Sequence, residues 1–76
     1  MVNFILGVIQ VINYKPFKIY MIQNNIDRDY MINTVGISST TYTKIMQDKP
    51  LRLDIIESIC LHFKIPIEQF IEIANG

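Results

Sequence analysis

The chain has 76 residues, with seven Lys and Arg against seven Asp and Glu, one Cys, and half of its residues hydrophobic. That length makes one domain with a thin core and a small stability margin. A formal net charge of zero excludes a uniformly basic surface, so any nucleic-acid binding would require clustered positive charge or be of modest affinity, and a single cysteine excludes an internal disulfide and fits a reducing cytoplasm.

Residues 1–13 are apolar and Val/Ile-rich, with no charge from Val2 to Ile12. Alternation over Val8, Ile9, Gln10, Val11, Ile12 and Asn13 reads as a strand. A helix also fits, because Phe4, Ile5, Val8, Ile9 and Ile12 share one helical face, and Gly7 weakens either choice. A strand needs a partner, either residues 70–73 at the other end or the same strand of a second subunit. The segment falls well short of the roughly 20 residues that span a membrane. It also lacks a basic start and a small-residue cleavage site, so neither export nor membrane insertion is expected. Residues 1–13 form an extension and residues 14–76 the domain.

The first helix is expected over residues 15–24. Pro16 suits its first turn, and Phe17, Tyr20 and Met21 form its inner face. Ile26 precedes Asp27 as an apolar staple before a cap. A second helix follows over residues 28–34. Gly36 suits a left-handed turn, and Ser38 caps a third helix over residues 39–47. Pro50 forbids its continuation. A fourth helix covers residues 53–63, with Ile56, Ile59, Cys60 and Phe63 at the spacing of a buried stripe. Pro66 opens a last short helix over residues 67–70. The fold class is all-α: a compact bundle of five helices, with a small strand pair joining the two ends.

The order Met31, Val35, Gly36, Ile37, Ser38, Tyr42 and Ile45 resembles the helix-turn-helix of the Cro/lambda-repressor-like (XRE-type) DNA-binding family. Tyr14-Lys15-Pro16-Phe17 and Ile59-Cys60 resemble a subgroup of small single-domain bacterial and phage regulators, and the likeness runs over residues 14–73. It implies a lambda-repressor-like bundle whose third helix enters the major groove of double-stranded DNA. By place in the motif, Ser39, Thr40, Thr43, Lys44 and Gln47 would read bases. Arg28, Ser38, Lys49 and Arg52 would meet phosphates, with Lys15 and Lys18 adding to that face. Asp27 and Asp29 depart from the family pattern and would repel the DNA backbone, Ile32 replaces a smaller residue, and Arg52 replaces a capping serine. Tyr14 lies outside the motif, where it could pack or bond a phosphate.

Nothing points to an enzyme. Cys60 and His62, two residues apart on one helix, project to nearly opposite sides and cannot share a metal. No glycine-rich phosphate loop or paired carboxylates occur, so no cofactor, metal or catalytic residue is expected. The expected role is a sequence-specific transcription regulator in the cytoplasm. It would act as a homodimer on a palindromic operator and pair through the apolar N-terminal segment. The alternative is a protein-binding module on the same scaffold: a phage or mobile-element anti-repressor, antitoxin-like factor or inhibitor of host defence. Zero net charge and the two aspartates favour it.

Overall fold

The computed structural model describes residues 12–73. In chain order they form β1 (Ile12–Asn13), α1 (Lys15–Gln23), α2 (Arg28–Tyr30) running directly into a π-helical turn (Met31–Val35), α3 (Ser39–Met46), α4 (Leu53–Phe63), a 3-10 turn (Ile67–Gln69) and β2 (Glu72–Ile73). The two strands pair antiparallel, Ile12 opposite Ile73 and Asn13 opposite Glu72. The chain is therefore an all-α bundle whose ends are tied by a short ribbon. The fifth helix expected over residues 67–70 is a single 3-10 turn. Pro66 supplies an extended residue before it, and only one turn of chain remains before β2 begins.

The expected pairing of the N-terminal strand with the C-terminal end is present at Ile12 and Asn13. The rest of that segment, and the subunit contact expected of it, lie outside the described residues.

Phe17 is the packing centre. Its ring is fully buried and lies 4.7 Å from Phe70 and 5.7 Å from Phe63, centroid to centroid. Tyr14, Met21, Met31, Ile45, Ile56 and Ile59 complete the core, so every helix contributes at least one apolar side chain except the three-residue α2, whose π turn supplies Met31. Apolar residues recurring every third or fourth position give each helix one face to bury. A small domain has no other source of cohesion on this scale.

Three helices end on a non-glycine residue in the left-handed conformation: Asn25, Asp48 and Lys64, with φ of 54°, 58° and 58°. Each end carries the paired bonds of a Schellman motif. After α3, the Lys49 N–H donates to the Lys44 carbonyl (2.8 Å) and the Asp48 N–H to the Ile45 carbonyl (3.2 Å). Left-handed backbone costs about 1–2 kcal/mol for a residue with a Cβ. At Asp48 the side chain offsets that cost through bonds to α1.

Candidate nucleic-acid interface

Local chemistry builds the turn between α2 and α3. The Asp27 carboxylate accepts the Tyr30 N–H at 2.8 Å and starts α2. Gly36 closes the π turn at φ 92°, and the Gly36 and Ile37 N–H groups both reach the Met31 carbonyl, at 3.0 and 3.2 Å. No neighbouring atom lies within 4 Å of where a Gly36 Cβ would stand, so glycine is favoured there by backbone conformation and not by crowding. Ser38 then caps α3: its Oγ accepts the Thr41 N–H at 3.0 Å and donates to Thr41 Oγ1 at 3.0 Å.

Ile45 is fully buried and Tyr42 half-buried, which fixes the rotation of α3. The opposite face is exposed. Ser39, Thr40, Thr43, Lys44 and Gln47 all lie on it, and together with Lys49 they line one shallow depression of ≈ 320 Å³. This lining contains two lysines and no carboxylate. The Thr43 hydroxyl donates back to the Ser39 carbonyl at 3.0 Å, so in this arrangement it offers a lone pair and a methyl group outward. Gln47 is the C-cap residue of α3 and lies about 12 Å along the helix axis from Ser39.

The expected phosphate ligands are more scattered. Arg28, Ser38 and Arg52 are exposed but lie outside that depression. The Arg28 guanidinium sits 6.0 Å from the Tyr42 ring centroid. The Arg52 guanidinium meets the Asp54 carboxylate at 2.7 Å, and that contact holds the Asp54 carboxyl below its ordinary range. Arg52 begins α4 without a side-chain cap. The Ser38 hydroxyl is used inside α3.

Lys18 differs from expectation. Its Nζ donates to the Met46 carbonyl at 3.1 Å and lies 3.0 Å from Asp48 Oδ1, so it is committed to the end of α3 and does not face outward with Lys15. The cause is geometric: a cation near a helix C-terminus satisfies carbonyls that have no partner in the helix.

Tyr14 and Asp48 complete this attachment, and sequence reasoning missed their part in it. Tyr14 is fully buried; its N–H donates to Asp48 Oδ1 at 2.9 Å and its hydroxyl to the Lys49 carbonyl at 2.6 Å. The Tyr14 bond and the Lys18 ammonium hold the Asp48 carboxyl below the usual carboxylate range. Burial, and then the Asp48 charge, push the Tyr14 hydroxyl above its usual value. The start of α1 thus clamps the C-terminal end of α3. The only sequence signal was a buried-type aromatic beside the helix start.

Tyr30 is partly exposed, and its hydroxyl lies 3.2 Å from His62 Nε2. Cys60 is half-buried, and burial pushes its thiol up. Among the described residues there is no group of three or more His, Cys, Asp or Glu able to hold a metal, and no helix long and apolar enough to cross a membrane.

Two helices joined through a left-handed glycine, the second of them turned outward and cleared of carboxylates, define a helix-turn-helix DNA-binding domain. The sequence model of the Cro/C1-type HTH DNA-binding domain matches residues 17–75, and the chain belongs to that family. No curated protein and no solved structure matches the chain.

Proposed function

We propose that the chain is a sequence-specific transcription regulator that inserts α3 into the major groove and binds a palindromic operator as a homodimer. One observation carries the reading: an exposed α3 face of hydroxyls, an amide and lysines with no carboxylate among them. The major groove admits a single α-helix and displays donors and acceptors to such side chains. Ser39, Thr40, Thr43, Lys44 and Gln47 read base edges. Arg28, Lys49 and Arg52 bind phosphates, and Ser38 acts beside them through the helix start that it caps. Asp27 opposes this less than its charge suggests, because its carboxylate is bonded to the Tyr30 N–H. Asp29 is exposed and still repels. Two-fold pairing doubles the contacts of a short motif that alone reads only a half-site.

The test is fluorescence anisotropy against operator-like inverted repeats beside the chain's own gene. The double substitution Thr43→Ala, Lys44→Ala removes specific binding while the circular dichroism spectrum is unchanged; undiminished specific affinity rejects α3 as the reading helix. A protein-binding module on the same scaffold is the second reading, favoured by the zero net charge. Salt separates the two. Three phosphate cations per subunit make about six per dimer, which gives a log–log salt slope near −5. An apolar protein interface is nearly insensitive to salt.

A further inference from the structure

The outward side of α4 and the 3-10 turn carries an apolar groove of ≈ 600 Å³, lined by Leu53, Ile56, Cys60, Leu61, Ile65 and Ile67 along with a few charged residues. Leu53 and Leu61 are 75% and 69% exposed and Ile67 is 50% exposed. Large aliphatics gathered in one exposed groove mark an association surface, since water gains nothing by wetting them.

The charged residues at the groove indicate what fills it. Asp54 is bonded to Arg52. Glu57 and Lys64 also line the groove, and neither has an ion-pair partner among the described residues. Glu57 lies on α4 and Lys64 is the left-handed residue that ends it, and both line this one groove. Leu61 lies between them. An apolar strip with an acid at one end and a base at the other is complementary to itself when reversed. A two-fold axis beside Leu61 sets Glu57 against the partner subunit's Lys64 at both ends of the contact. An isologous contact needs this kind of self-complementarity.

We infer that a second copy of this chain docks in this groove, α4 antiparallel to α4. The inference rests on and deepens the homodimer reading above, and it puts this groove in place of the N-terminal segment expected from the sequence as the pairing surface. The groove has no lining residue in common with the α3 depression, so both surfaces can be occupied at once.

Sedimentation equilibrium of the full chain without DNA tests this independently of operator binding. A monomer–dimer equilibrium is expected. Leu61→Glu should weaken it roughly 100-fold, because the change occurs twice across the axis. Leu61 is largely exposed, so this variant should keep its fold, which circular dichroism checks. Glu57→Lys and Lys64→Glu should each weaken the dimer roughly tenfold, and combining them should restore it. Ile5→Glu with Ile9→Glu should leave the constant unchanged. A monomeric wild type, a dimer indifferent to Leu61→Glu, no restoration by the charge exchange, or a dimer lost with the N-terminal pair would each overturn the inference. A dimer that behaves as described but binds no operator overturns the regulator reading alone.

Discussion

Removing one oxygen from Tyr14 isolates the clamp on α3. Tyr14→Phe keeps the buried ring, which lies 5.4 Å from Phe70, and deletes only the hydroxyl bonded to the Lys49 carbonyl at 2.6 Å. A neutral hydrogen bond of this kind contributes about 0.5–1.5 kcal/mol net. The loss should be about 1 kcal/mol, a fall in Tm of roughly 4–8 °C for a domain this small. The pH dependence makes the test specific. The Tyr14 hydroxyl is raised by burial and by Asp48. A group with a raised folded pKa gives its full stabilisation below its unfolded pKa and loses it as pH rises through the folded value. The wild type therefore loses stability above about pH 10, and the phenylalanine variant has nothing there to ionise. The gap between them should narrow as pH rises past that point. Tyr20, Tyr30 and Tyr42 are common to both chains and cancel in the difference. Urea unfolding at pH 7 and in alkaline buffer measures both quantities. Equal stability at pH 7, or a gap that widens in alkali, refutes the assignment of the clamp.

Other outcomes follow from the same geometry. Gly36→Ala should cost about 1–2 kcal/mol in urea unfolding through backbone strain alone, since no neighbour meets the new Cβ; a neutral effect would mean that the turn relaxes. Asp48→Asn keeps an acceptor for the Tyr14 N–H and tolerates the left-handed backbone, but removes the charge facing Lys18. Because the folded pKa of Asp48 is lowered, its stabilisation is present above about pH 4 and is lost as pH falls through the folded value. The asparagine variant should thus be less stable at pH 7 and level with the wild type in strong acid, as thermal melts at the two pH values would show. Lys49→Ala should weaken binding to all DNA sequences alike and reduce the salt slope by about 2 for the dimer, one unit per subunit, in anisotropy titrations.

The local structure of the motif was legible in the sequence because its causes are local. Asp27 and Ser38 cap helices through bonds three residues long, and Gly36 fills a backbone conformation open to few other residues. The expected fourth helix, residues 53–63, matches α4 end to end, because its apolar spacing and the breaker after it lie in one window. The set Ser39, Thr40, Thr43, Lys44 and Gln47 came from place in the motif, and all five prove to be exposed on one face of α3. The left-handed ends at Asp48 and Lys64 carry no glycine to announce them, and the π turn at Met31–Val35 has no composition of its own. The fixing of α3 was decided elsewhere. Lys18 and Tyr14 reach it across sequence separations of 28 to 35 residues. A pattern read along the chain shows that Lys18 is charged and Tyr14 apolar. Only folding brings them to the Met46 carbonyl, which the end of a helix leaves without an intrahelical partner, and to the Lys49 carbonyl in the turn beyond it, and turns one expected DNA contact into a support for the helix that carries the others.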